Sequence, residues 1–121
     1  MIHEEIARPD TLSGVTYKIK RSGLDHAIYL TVNDMDIEGK LVPYEILINT
    51  KDPINHAWVM AITRLVSAVM RKGGDISFIP AELQAISDPK GGYFHKGKYI
   101  PSIVADIGMS LETHFRMRGI I

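Results

Sequence analysis

The chain has 121 residues, no cysteine, and equal numbers of basic and acidic residues, 14 of each, so its formal net charge at pH 7 is zero. The absence of cysteine excludes disulfides, thiolate metal sites and a cysteine nucleophile, and the zero net charge does not favour nucleic-acid binding. The hydrophobic fraction of 45% is typical of a folded protein, and we expect a single domain over residues 1–121. No stretch approaches the ~20 apolar residues of a membrane span, and the start does not resemble a signal peptide, so a cytoplasmic protein without a membrane partner is expected.

The N-terminal half predicts an antiparallel sheet. Residues 14–21 alternate apolar and polar side chains, which is the pattern of a half-buried strand. Residues 26–33 are rich in β-forming residues, and residues 44–49 make a third short run of this kind. Residues 34–40 are polar and include Gly39, so a connection is expected there. Neighbouring strands with short connections indicate a meander of about three or more strands.

The C-terminal half predicts one long and two shorter helices, so the fold class is expected to be α+β with helices packed on the sheet. The long helix covers residues 54–72 and ends at Gly73-Gly74. A short helix covers residues 80–86, and a third helix begins at Pro101-Ser102. The apolar spacing predicts an inward face on the long helix comprising Trp58, Ile62, Leu65, Val66 and Val69. The corresponding stripe on the last helix comprises Ile103, Ile107, Leu111 and Phe115.

Residues 88–99, between the last two helices, are the first candidate site. Glycines let backbone amides approach phosphate oxygens, lysines neutralise phosphate charge, and aromatic rings stack on bases. The candidate residues in this segment are Lys90, Gly91, Gly92, Tyr93, His95, Lys96 and Lys98. The segment matches no phosphate-binding fingerprint. The alternative is a β-hairpin that turns at Lys96-Gly97, with solvated lysines and with aromatic side chains that cap the core.

Two further cations are candidate anion ligands. Lys51 precedes the long helix, and its ammonium group together with the first backbone amides of that helix is suited to binding an anion. The alternative is that this segment only begins the helix, with Asp52 as the N-cap. Arg64 lies in the middle of the same helix. Three roles are open for it: a phosphate ligand, a salt-bridge partner or a solvated residue. The five histidines show no metal-ligand spacing, so neither a metal nor a cofactor is expected.

Five segments, in order, make the chain similar to the TSCPD domain: residues 14–19, 29–34, 44–51, 58–71 and 88–93. That domain is the C-terminal domain of adenosylcobalamin-dependent (class II) ribonucleotide reductases and also occurs as small separate chains, including in phage genomes. The resemblance covers roughly residues 8–115. Reductases of this class work through a cysteine thiyl radical, and this chain has no cysteine. The resemblance therefore implies the scaffold without the reductase activity, and no catalytic residue is carried over.

Two functions are compatible with a non-enzymatic domain of this kind. The first is binding of a nucleotide or another phosphorylated ligand, through Lys51, Arg64 and residues 88–99, with a phage-type sponge or inhibitor as one form of it. The second is docking on a ribonucleotide reductase chain, on a host defence protein or on a second copy. The apolar helix over residues 54–70 and the apolar C-terminus, which includes Ile120 and Ile121, favour a homo-oligomer.

Overall fold

The computed structural model describes residues 7–121, in which a three-stranded sheet is followed by helices. The sheet is antiparallel in the order β1-β2-β3, with β1 at Ser13–Ile19, β2 at Ile28–Ile37 and β3 at Lys40–Thr50. The helices are α1 (His56–Lys72), α2 (Ile79–Gln84) and α3 (Ile103–Met117), and a hairpin of β4 (Tyr93–His95) and β5 (Lys98–Ile100) separates α2 from α3. The predicted α+β class is confirmed.

Strands β2 and β3 are joined by a tight turn, so the prediction of a polar connection over residues 34–40 is wrong. Glu38 and Gly39 have φ angles of 53° and 84°, the left-handed pair that suits a two-residue hairpin. Strand β3 therefore begins at Lys40 and not at residue 44. Exposed polar residues such as Asp36 are tolerated in these strands because one face of the sheet is open to solvent.

A β-bulge lies beside the buried carboxylate of Asp34. Asn33 pairs with Glu45, whereas Asp34 pairs with Pro43, so Tyr44 is the additional residue of β3. Pro43 is accommodated because β3 is an edge strand and loses no hydrogen bond to a further strand there. Asp34 is buried.

The inward face of α1 differs from the predicted one. Trp58 is 71% exposed and Leu65 68% exposed, and Val69 also lies at the surface. The buried residues of this helix are Val59, Thr63, Val66, Ser67 and Met70. Ser67 hydrogen-bonds the backbone of Ile46, so α1 runs along the outer edge of β3. A helix beside a strand edge makes contact through small polar residues as well as apolar ones, and hydrophobic spacing does not detect those.

The core lies on one face of the sheet and is completed by all three helices. Helix α3 begins where it was predicted to begin, and Ser102 is its N-cap, because its Oγ accepts the N–H of Ala105 at 3.0 Å. Three members of the predicted α3 stripe are buried, and Ile103 packs at its margin. The main core cluster comprises Ile19, Ile28, Leu30, Val32, Ile46, Val66, Met70, Ile76, Ile79, Leu83, Ile107, Leu111 and Phe115.

Candidate functional site

The predicted site residues are distributed over different parts of the surface. Lys51 lines a cavity of about 240 Å³ together with His26 and Tyr29. Arg64 lines a groove of about 450 Å³ between α1 and β3. The remaining candidates lie on or just before the β4–β5 hairpin and line neither of these cavities. The structure therefore does not unite Lys51, Arg64 and the hairpin in one site.

Residues 88–99 contain a β-hairpin, which was the alternative to a phosphate site in this segment. Strands β4 and β5 pair antiparallel, and Lys96 and Gly97 make the turn with φ angles of 51° and 77°. The lysines at positions 90, 96 and 98 are exposed. Phe94 is 65% exposed and packs against Tyr99 with ring centroids 5.2 Å apart. The expectation that these aromatic side chains cap the core is therefore wrong for Phe94.

The glycines before the hairpin use their amides inside the protein. Gly91 N–H donates to the backbone oxygen of Asp88 at 2.8 Å, and Gly92 N–H donates to Tyr99 Oη at 2.8 Å. A Cβ atom on Gly92 would lie 1.9 Å from the backbone oxygen of Ile100. Close packing of two backbone segments, rather than approach to a ligand, thus accounts for glycine at position 92.

Tyr93 anchors the hairpin to α3. Its hydroxyl donates to Asp106 Oδ2 at 2.8 Å, and Arg21 donates to both oxygens of the same buried carboxylate, at 2.9 and 3.0 Å. Burial and the hydrogen bond to Asp106 raise the pKa of Tyr93 well above its ordinary value. The polar end of this ring is thus engaged within the protein.

A second buried carboxylate, Asp34, organises a network that the sequence did not reveal. It accepts hydrogen bonds from His114 Nε2 at 2.9 Å and Arg118 Nε at 3.1 Å. His114 Nδ1 lies 2.8 Å from the hydroxyl of Tyr17. Since Nε2 carries the proton given to the carboxylate, Nδ1 of a neutral ring accepts from that hydroxyl. Burial raises the pKa of Tyr17, and nearby Arg118 opposes this.

The third carboxylate, Glu45, is held on the opposite side of the bulge. It accepts from Arg8 Nε at 2.7 Å and from Asn33 Nδ2 at 2.8 Å. Burial acts to raise the pKa of Glu45, but the hydrogen bonds from Arg8 and Asn33 outweigh it and lower the pKa. Asp34, Glu45 and Asp106 are each neutralised by an arginine, which makes them structural ion pairs.

Asp52 does not cap α1, contrary to the alternative stated for the segment around Lys51. The N-cap residue is Asn55, which makes no side-chain cap hydrogen bond. Asp52 instead closes the preceding turn, where it accepts from Asn55 Nδ2 at 2.6 Å and from the amide of Ile54 at 2.9 Å. The side-chain hydrogen bond from Asn55 lowers the pKa of Asp52. Lys51 is exposed beside this turn.

The groove between α1 and β3 combines free cationic and apolar groups. Arg64 makes no hydrogen bond or ion pair with any residue in the range 7–121. Arg71 lies about two turns further along α1 and lines the same groove. It is near enough to Glu45 to help lower the pKa of that carboxyl. Its role as a groove residue was not predicted, because a basic residue in a last helical turn is explained by the helix dipole alone. The apolar lining comprises Leu47, Met60, Leu65 and Ala68.

Residues 7–121 contain no group of three or more histidine, aspartate or glutamate side chains placed to hold a metal ion. No helix in the same range has the length and apolar character needed to cross a membrane.

These observations define a small α+β domain with ion-paired buried carboxylates and an open cationic groove. The family model of the TSCPD domain matches residues 2–115, and the chain belongs to this family. The resemblance seen in the sequence is thereby confirmed. The TSCPD domain is related to ribonucleotide reductases, and these 121 cysteine-free residues are not a full reductase. Comparisons with curated proteins and with solved structures find no significant match.

Proposed function

We propose that this TSCPD domain is a non-catalytic module that binds a nucleotide or another phosphorylated ligand, and that the groove between α1 and β3 is its binding site. The observation that carries the proposal is Arg64. Its guanidinium is exposed, has no partner among residues 7–121 and lines a groove of about 450 Å³. That volume lies within the range of small-molecule sites, and a guanidinium binds phosphate oxygens through two parallel hydrogen bonds.

The spacing of the two arginines in the groove suits a ligand with more than one anionic group. Arg64 and Arg71 are seven residues apart, which is about two turns and roughly 10 Å along the helix axis. Apolar side chains of Leu47, Met60 and Leu65 lie in the same groove. We therefore expect phosphates at the two arginines and a base or sugar against the apolar wall. Sequestration of a signalling nucleotide, as by a phage-type sponge, is one use of such a site.

The hairpin supports this function less well. Lys90, Lys96 and Lys98 are exposed, and the two glycine amides that a phosphate would need already have partners within residues 88–99. Lys51 lines a separate cavity with His26 and Tyr29, and it is the one lysine or arginine among the residues that line that cavity. These residues remain the competing location for the ligand.

A thermal-shift screen against mono-, di- and cyclic nucleotides, followed by calorimetric titration of each hit, tests the proposal. A ligand at one hundred times its dissociation constant stabilises the fold by about 2.7 kcal/mol. Arg64→Ala should weaken binding roughly tenfold or more, because a hydrogen bond to a charged group contributes about 1.5–3 kcal/mol. Arg116→Ala, which removes an exposed arginine from α3, is the matched control and should bind as the parent does.

Two outcomes would contradict the proposed site. A flat screen with every nucleotide would remove the proposed ligand class. Full binding by Arg64→Ala together with loss of binding in the double variant Lys96→Glu, Lys98→Glu would move the site to the hairpin.

A second candidate function, protein docking, is favoured by the outward side chains of α1. Ile54 is 82% exposed, and Trp58 and Leu65 also lie largely in solvent. The predicted contribution of the C-terminus is smaller, because Phe115 is buried and Ile120 packs against the core. Retention of a reductase large chain or a host defence protein on the immobilised domain, abolished by Trp58→Ala, would support docking on such a partner.

A further inference from the structure

The outward face of α1, together with Ile54 two residues before its first residue, carries an exposed seam. Its members follow one another at alternating intervals of four and three residues, and all of them are exposed. This α1 seam comprises Ile54, Trp58, Ala61, Leu65, Ala68 and Lys72. Alternating intervals of three and four are the spacing with which one helix packs against another along its length. The fold itself does not need these residues, because the core and β3 are contacted by the opposite face of the helix.

We propose that a second copy of the chain covers the α1 seam as an antiparallel helix pair. The sizes of the seam residues support this occupant. With a twofold axis level with position 63, Trp58 of one copy lies opposite Ala68 of the other, and Leu65 lies opposite Ala61. Trp58 and Leu65 thus each meet an alanine, which is how two helix surfaces interdigitate without voids, and Ile54 lies level with the long side chain of Lys72. The seam is therefore complementary to itself.

The exposed area is sufficient for such a pair. Ile54, Trp58 and Leu65 are more than two thirds exposed, and Val69 beside them is 39% exposed. From these fractions, one copy offers roughly 600 Å² of apolar surface, so a pair would bury about 1,200 Å², the lower end of standard-size interfaces. Scattered single apolar residues need no partner, but a contiguous patch of this size is typical of an interface.

The charges select the antiparallel orientation. Helix α1 has no acidic residue, and its cations are Arg64, Arg71 and Lys72. A parallel pair would place the basic C-terminal ends of both helices together. An antiparallel pair instead separates these two basic ends and places each Lys72 near the start of the other helix, where Lys51 and Asp52 offset each other. The interface needs no ligand, but Leu65 and Ala68 line both the seam and the groove of the proposed nucleotide site, so the two sites share one margin.

Light scattering on the ligand-free full chain, over roughly 10 to 100 µM, tests the proposal. The parent should reach about 27 kDa, twice the 13.5 kDa of one chain. Ala61→Glu places a charge opposite the apolar Leu65 of the second copy and should give a monomer. Ala81→Glu makes the same change at an exposed position of α2 and should remain a dimer. Equal thermal midpoints of the two variants at a monomeric concentration would exclude misfolding.

The antiparallel register has its own test. Leu65→Lys should also be monomeric alone, because each introduced lysine would face an alanine in an apolar seam. Mixing Leu65→Lys with Ala61→Glu should restore a dimer, because the introduced glutamate and lysine then face each other once and Leu65 meets Ala61 once. No such rescue occurs in a parallel pair of this register.

Three results would overturn the proposal. The first is a parent protein that stays monomeric over the whole concentration range, whether or not it binds another protein. The second is an Ala61→Glu variant as dimeric as Ala81→Glu, and the third is a mixture that stays monomeric. Ala61 does not line the nucleotide groove, so nucleotide binding by monomeric Ala61→Glu separates failure of one proposal from failure of the other.

Discussion

Ser67 of α1 makes both of its hydroxyl hydrogen bonds to one residue, Ile46 of β3. Its Oγ accepts from Ile46 N–H at 3.0 Å and donates to the Ile46 carbonyl at 3.1 Å. The two backbone groups belong to the free edge of the sheet, where they would otherwise lack a partner. One serine thus lets a helix cover a sheet edge. With Ser67 facing β3, the α1 seam on the other side of the helix faces solvent.

Ser67→Ala should destabilise the fold by about 1–3 kcal/mol, because it leaves a buried N–H and a buried carbonyl without partners. Chemical denaturation measures the change in the free energy of unfolding. Ser110→Ala, on the partly exposed side of α3, should change it by less than about 0.5 kcal/mol. Equal effects of the two substitutions would show that α1 does not depend on this contact.

Asp34→Asn should cost roughly 3 kcal/mol or more, because it removes the charge that neutralises Arg118 and orients the buried His114. Tyr17→Phe should cost about 1 kcal/mol through loss of one hydrogen bond to the same ring. The free energies of unfolding of the two single variants and the double variant give the coupling between the sites. Strictly additive effects would contradict a shared network.

Glu45 should make stability depend on pH in the acid range. Its pKa is lowered in the folded protein, so its contribution is present above the ordinary value of 4.5 and is lost as pH falls through the folded value. The stability difference between the parent and Glu45→Gln should therefore be largest near neutral pH and shrink below about pH 4. Thermal midpoints measured from pH 3 to pH 7 test this. A difference that grows with acidity would contradict it.

Gly92→Ala should destabilise the protein by about 1–3 kcal/mol, because its new methyl group would overlap the backbone of Ile100 and Pro101. Gly97→Asn is the comparison: position 97 has open space and a φ of 77°, which asparagine tolerates. Chemical denaturation should show a small effect for Gly97→Asn. A neutral Gly92→Ala would mean that the two backbone segments are not in close contact.

Local patterns determined much of the fold from the sequence. Alternation predicted strand β1, four-residue spacing predicted α3, and Ser102 and Lys96-Gly97 marked a helix start and a hairpin turn. These features depend on backbone preferences and on side chains close in the chain. The assignment of Arg64 as a ligand, made from its residue type and its place in a helix, stays a prediction. Glu38-Gly39 was missed, because the polar residues around that turn resemble a loop.

The tertiary structure alone decided which side of each element is buried and which charges meet. Hydrophobic spacing placed Trp58 and Leu65 inward, whereas α1 lies along an edge and hydrogen-bonds to it through Ser67. The arginine–carboxylate pairs join residues 37, 85 and 84 positions apart. Partners so distant meet only when the sheet and helices pack, because burial makes an unpaired carboxylate costly and thereby selects the arginine that reaches it.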